Sequence, residues 1–374
     1  MNEFMLKPRY AEKDISGCAV VGIMDLGGKK FSSDQIVASI SCMRDRSNGL
    51  GGGFAAYGIY PEYADFYAFH MMYLDTDKRY DVEDYLRRKF NIVASERIPT
   101  AKVNTIGESP VLWRYFLSVE NKPTQISEED FVVQTVMEIN SNVEGAFVAS
   151  SGKNMGVFKG VGYPEDIARF YKLQDYEAYI WLSHGRFPTN TVGWWGGAHP
   201  FNILDWSVVH NGELSSYGIN ARYLEMYGYK CALMTDTEVV AYAMDLLMRR
   251  HRLPLNLVSA VIAAPLWQEI DNMPPNERKI LTALRQTYSS LLLNGPFSFI
   301  IANAKQMIGI TDRIRLRPLI AGQRGDKFYI STEEAAIREV ASDLDNIIMP
   351  RGGEPVVAEL KKSKSARSKV GSRS

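Results

Sequence analysis

Three of the five histidines, His184, His199 and His210, fall in a stretch of 27 residues. The same window carries Arg186, Thr189, Asn190 and the dipeptide Asn211-Gly212, and Asp236 follows 24 residues after Gly212. Guanidinium, carboxylate, amide and imidazole groups at that density suggest a functional site. Singly, each has a plainer reading: a hydrogen-bonded structural histidine, a hairpin turn at Asn-Gly, a surface charge at Arg186 or Asp236. A zinc centre is not indicated, since the window lacks a His-Glu-x-x-His run and a cysteine pair. The three cysteines, Cys18, Cys42 and Cys231, are odd in number and unsuited in spacing to a metal site, which fits a reducing, cytoplasmic setting.

These residues must be positioned by elements whose periodicity is partly legible. Cys18 opens an apolar run to Met24 that reads as a buried strand. Ser33 to Arg46 reads as a helix, with Ile36, Val37, Ile40 and Met43 at helical spacing, and it places Cys42 on the core as a packing residue. The glycines of Gly49-Leu-Gly-Gly-Gly53 mark a turn before a strand over Phe54 to Tyr60. They lack the Lys-Ser/Thr of a phosphate loop. Further helices are expected over Val82 to Phe90, Glu128 to Asn140, Pro164 to Leu173, Thr237 to Arg249 and Glu277 to Leu293. Strands are expected over Gly145 to Ala149, Met155 to Phe158, Ala178 to Ser183, Ser207 to His210, Phe297 to Ala302, Gln306 to Thr311 and Lys327 to Ser331. Because strands and helices arrive in blocks and not in strict alternation, the fold class is α+β with mostly antiparallel sheets.

The chain of 374 residues is 46% hydrophobic and 23% charged, the composition of an ordinary folded protein. Lys plus Arg and Asp plus Glu are both 43, but six of the basic residues lie in Lys361 to Ser374. The 43 less these six leaves 37 basic against 43 acidic, so the body is mildly acidic and carries no nucleic-acid footprint. The tail, 361–374, has a Lys/Ser/Arg composition that cannot build a core and reads as a disordered extension. No apolar run approaches the roughly 20 residues that cross a bilayer, and the first 17 residues are too charged to serve as a secretory signal.

Taken together, the spacings carry more than the single residues. His184-Gly-Arg-Phe-Pro-Thr-Asn190, His199-Pro200, His210-Asn-Gly-Glu213 and Thr235-Asp-Thr-Glu238, behind a strand opening at Cys18, resemble the class II glutamine amidotransferases, which are N-terminal-nucleophile hydrolases. The Arg-Phe-x-Thr-Asn form and the tryptophans after it look most like the amidotransferase part of glutamate synthase. The resemblance extends through Gly295-Pro-Phe-Ser-Phe-Ile300, Asp312-Arg313, Arg317-Pro318-Leu319 and Ser331-Thr-Glu-Glu334. It covers 18–360, and 75–177 is its longest and least matched part.

The resemblance implies a four-layer αββα sandwich and removal of 1–17 by cleavage between Gly17 and Cys18. Cys18 would then be the nucleophile, with its own α-amine, of ordinary pKa about 7.7 to 8.0, as the base. It further implies an oxyanion held by Asn211 and the Gly212 N–H. Arg186 would hold the glutamine α-carboxylate and Asp236 its α-ammonium, Thr189 and Asn190 would line the pocket, and His199 would order its wall. Trp194-Trp195 between glycines reads equally as a loop closing over glutamine or as packing, and Asp312-Arg313 with Arg317-Pro318 as a structural turn and ion-pair element. No cofactor is expected in this chain. Its partner would be a flavin-dependent synthase subunit of a hetero-oligomer, carrying FMN and an iron–sulfur cluster. Two alternatives stay open: the same glutaminase serving another acceptor, such as N-methylglutamate synthesis, or a non-catalytic glutamine-binding subunit.

Overall fold

The computed structural model describes residues 17–187 and 193–361. Two sheets are stacked face to face. The larger has seven strands in the order Asn346–Ile348, Ile320–Arg324, Lys327–Ser331, Ala19–Asp25, Ile180–Gly185, Gly52–Tyr57, Met155–Gly160. The smaller has five, in the order Phe201–Ile203, Trp206–Gly212, Phe297–Asn303, Gln306–Thr311, Val356–Glu359. Every pairing within them is antiparallel.

The layering follows from alternation along each strand, which sends successive side chains to opposite faces. From Ala19–Asp25, Val20 and Met24 point between the sheets and meet Val209, Ile300 and Met307 of the smaller sheet. Ala19, Val21 and Ile23 point the other way, into a cluster with Ile36 and Ile40 of helix Asp34–Ser41, Ile167 of helix Pro164–Phe170 and Ile337 of helix Glu334–Arg338. The outer face of the smaller sheet, with Val208, Phe299, Ile301 and Ile310, packs on Val239, Val240 and Ala243 of helix Thr237–Met244 and on Val258 and Ile262 of helix Leu255–Ile262. Helix, sheet, sheet, helix is the αββα sandwich expected.

A third sheet orders Phe90–Arg97, Val111–Val119, Tyr67–Tyr73 and Ala146–Ser150, of which the sequence reading expects only the last, as Gly145 to Ala149. Its strand Tyr67–Tyr73 reads YAFHMMY and is buried along its whole length. With both faces covered, such a strand shows no alternation to read. The helix expected over Val82 to Phe90 occupies Asp77–Arg87, and Phe90 instead starts a strand. Helix Thr237–Met244 continues as a π-helix over Asp245–Arg250, and helix Pro275–Thr287 stops short of Leu293. Cys42 is exposed and not a packing residue. Ile36, Ile40 and Met43 take the core side of that segment, and Cys42, two residues from Ile40, is turned away from it. Gly52 and Gly53 belong to the strand Gly52–Tyr57, where a Cβ on Gly53 would stand 2.2 Å from the His199 carbonyl oxygen.

Candidate active site

The site forms where the ends of the two stacked sheets meet. In the larger sheet Ala19 pairs with Gly185, so Cys18, one residue earlier, reaches the level of Arg186 and Phe187. The Phe187 N–H donates to the Cys18 Sγ at 3.4 Å, and the Arg46 Nε–H donates to the Cys18 carbonyl oxygen at 3.3 Å. Burial pushes the Cys18 thiol up; the Phe187 N–H and the guanidinium groups of Arg186 and Arg317 oppose that push, and Asp236 adds to it. The thiol therefore needs a base before it can attack.

In the smaller sheet Asn211 and Gly212 end the strand Trp206–Gly212, paired with Ser298 and Phe297. Asn211 is fully buried, and neither its Nδ2 nor its Oδ1 has a hydrogen-bond partner among the described residues. A buried amide left this way carries a desolvation cost, which a ligand could relieve. Gly212 sits at φ +150°, and a Cβ there would lie 2.0 Å from the Pro296 carbonyl oxygen. Only glycine allows the chain to pass so close to its neighbour. Asp236 stands just before helix Thr237–Met244, and its Oδ2 accepts the Leu214 N–H at 2.7 Å.

A cavity of about 780 Å³ is lined by Cys18, Arg186, His199, Asn211, Gly212 and Asp236, together with Arg317, Phe187 and His210. Six of the residues singled out from the sequence are thus brought to one place. Thr189 and Asn190 lie outside the described residues. A cation, a carboxylate, a thiol and an unpartnered amide around one cavity suit a small zwitterion that also carries an amide or ester to be cleaved.

His199 and His210 of this wall belong to a histidine cluster with His184. The His184 Nε2–H donates to the His210 carbonyl oxygen at 2.9 Å, and the His184 ring stacks on His199 at 4.0 Å and 21°. His199 Nε2 and His210 Nδ1 are hydrogen-bonded to the Thr237 hydroxyl at 2.7 and 3.0 Å. Burial holds all three below the ordinary imidazole range, with His184 pushed down to about 3. They are neutral at physiological pH and act as a packed wall behind Asn211 and Asp236.

Sequence reasoning missed Arg46, Thr237 and the Phe187 N–H, and it gave Arg317 only an ion-pair role. The Asp312 carboxylate instead accepts backbone N–H groups, from Phe297, Ile314, Leu316 and Arg317. That turn sends Arg317 to the cavity. Trp195 is packed against Phe170, its ring lying where a Cβ on Gly160 would be, and Trp194 packs edge-on against Phe147. Both are packing residues in this structure. The buried Lys159 Nζ, whose pKa burial pushes down to about 7, donates to the Gly196 carbonyl oxygen at 3.0 Å.

Among the described residues no group of three or more His, Cys, Asp or Glu side chains could hold a metal ion, and no helix is long and apolar enough to cross a membrane. A family profile for class II glutamine amidotransferases matches residues 63–352. An uncharacterized protein of Archaeoglobus fulgidus is 52% identical over 94% of this chain and 94% of its own length. The large chain of glutamate synthase [NADPH] from Bacillus subtilis is 28% identical over 71% of this chain, which spans only 18% of that relative. A protein of Methanothermobacter thermautotrophicus, provisionally named a glutamine amidotransferase, is 24% identical over 92% of this chain and its own full length. With the match covering most of the sequence, the chain belongs to the class II glutamine amidotransferases.

Proposed function

We propose that this chain hydrolyses L-glutamine to glutamate and ammonia through a thioester on Cys18. The ammonia passes to a glutamate-synthase-type partner subunit that carries the flavin and the iron–sulfur cluster. The observation that carries the reading is the buried, unpartnered amide of Asn211 on the same cavity as the Cys18 thiol. A donor waiting without a partner beside a nucleophile is what an oxyanion-forming reaction requires.

In this mechanism 1–17 is removed and the freed Cys18 α-amine takes the thiol proton. Arg186 grips the α-carboxylate of glutamine and Asp236 its α-ammonium. The sulfur bonds to the side-chain carbonyl carbon, and the oxyanion rests on Asn211 Nδ2 and the Gly212 N–H. Collapse expels ammonia, which takes its proton from the α-ammonium of Cys18. A water then repeats the sequence on the thioester and releases glutamate. Thr189 and Asn190 complete the pocket in this reading. The likeness to the glutamate synthase large chain supports a synthase as the acceptor.

The test is the intact mass of the purified chain before and after exposure to a diazo-ketone glutamine analogue, together with ammonia release from glutamine. A species beginning at Cys18 that gains one label, with label and ammonia both lost in Cys18→Ala, supports the reading. A processed chain that takes no label and releases no ammonia, alone or with its partner, overturns it.

A further inference from the structure

Two guanidinium groups flank the Gly17–Cys18 peptide. A Cβ built on Gly17 would lie 2.9 Å from Arg46 Nη2 and 3.7 Å from Arg317 Nη1. Arg46 is anchored, with its Nε–H on the Cys18 carbonyl oxygen and its Nη1 on Glu333 Oε1 at 2.8 Å. Arg317 differs. Its Nε is buried without a hydrogen-bond partner among the described residues, while its backbone N–H is tied to Asp312 Oδ2 at 3.3 Å and its side chain lines the cavity. A guanidinium N–H buried and left unsatisfied is destabilising, so the fold maintains this placement at a cost.

We propose that Arg317, supported by Arg46, is a positioning residue that keeps the Cys18 α-amine in its unprotonated, proton-accepting form. The inference rests on the glutaminase reading, in which that amine replaces the Gly17–Cys18 peptide nitrogen. An α-amine of ordinary pKa, about 7.7 to 8.0, is mostly protonated at pH 7 and cannot accept the thiol proton. A fixed positive charge beside it disfavours the ammonium form. The charged and titratable groups around this point are Arg46 after helix Asp34–Ser41, Arg186 after strand Ile180–Gly185, Asp236 before helix Thr237–Met244, Arg317 after strand Gln306–Thr311, His210 on Trp206–Gly212 and Glu213 just after it. Glu333 pairs with Arg46, Arg186 and Asp236 act on Cys18 with opposite sign, and burial keeps His210 neutral. The Arg317 charge is left to act on the amine.

The proton balance is closed. The amine nitrogen accepts the thiol proton as the sulfur–carbon bond forms, returns it to the departing ammonia, accepts another from the hydrolytic water, and returns that one to the cysteine sulfur as glutamate leaves. A permanently protonated amine would stop both halves.

The test compares chains purified in the processed form, beginning at Cys18: unsubstituted, Arg317→Gln and Arg317→Lys. Two profiles are recorded against pH, glutaminase kcat/KM and the rate of acetylation of the N-terminal amine read by intact mass. In Arg317→Gln the acid limb of both should move up by about one pH unit, while Arg317→Lys keeps the charge and should stay near the unsubstituted profile. Unshifted limbs in Arg317→Gln, with the unsubstituted chain active, overturn the proposal and leave the glutaminase reading standing. An unsubstituted chain that begins at Cys18, acetylates normally and releases no ammonia sinks the glutaminase reading itself. An equal shift in Arg317→Gln and Arg317→Lys would assign the effect to shape and not to charge, and also overturns the proposal.

Discussion

The imidazole rings of His184 and His199 stack at 4.0 Å with 21° between their planes. A proton on either ring would bring a charge into a site that burial already closes to it, and His184 is pushed down to about 3. His70, remote from the cavity and hydrogen-bonded to the Tyr60 hydroxyl at 2.7 Å and to the Val157 carbonyl at 3.0 Å, is pushed down to about 3 by the same cause.

Acid should therefore destabilise the fold early. Between the folded values of about 3 and the unfolded value of about 6.5, the unfolded chain binds more protons, so stability falls as pH falls. Each of His70 and His184 should cost about 1.5 kcal/mol between pH 6.5 and 5. Thermal melts across that range should show a falling midpoint, with a shallower fall in His70→Gln. A flat midpoint down to pH 5 contradicts the burial argument.

Asn211→Ala should lower kcat for ammonia release by about 10²- to 10³-fold with KM little changed, because the donor acts on the oxyanion and not on ground-state glutamine. Steady-state assays at saturating glutamine measure this. A kcat within a few-fold of the unsubstituted chain would remove Asn211 from the mechanism.

Asp236→Asn retains an acceptor for the Leu214 N–H but gives up the charge opposite the substrate ammonium. Arg186→Lys keeps a charge and loses the planar fork. Each should raise the KM for glutamine by about 10- to 100-fold, the scale of a lost charge-assisted hydrogen bond. Unaltered KM values in both would place the α-amino-acid end of the substrate elsewhere.

Gly212→Ala should lose activity and melt at lower temperature, since its Cβ would fall 2.0 Å from the Pro296 carbonyl oxygen at φ +150°. Gly325→Ala is the control. Its φ is +58° but nothing lies within 4 Å of a Cβ there, so it should cost only about 1 kcal/mol and leave glutaminase activity intact. Matching losses in the two variants would mean that backbone conformation, and not the close approach, makes Gly212 necessary.

Legibility followed side-chain type more than burial. Ala19–Asp25 and Gln306–Thr311, rich in Val or Ile, fell where their apolar runs placed them although both are almost wholly buried. In the third sheet the strand Tyr67–Tyr73 did not, because YAFHMMY has no β-branched residue, and a buried strand and a helix turn of that composition look alike one residue at a time. The same limit hid the exposure of Cys42, which only the direction of its neighbours Ile40 and Met43 decides.

The sequence by itself determined which chemical groups were available: a thiol at position 18, the Asn211-Gly212 pair, Arg186 and Asp236, in an order specific enough to name a family. Local spacing carries residue types because each motif is a few residues long and belongs to one strand end or one helix start. Only the tertiary structure decided that groups as far apart as Cys18 and Asp236 line one cavity, since their approach is made by two sheets packed through Val20, Met24, Val209 and Ile300. It also decided that Arg317, which reads as part of an ion-pair element, lines the Cys18 cavity instead, while the Asp312 carboxylate is taken up by backbone N–H groups.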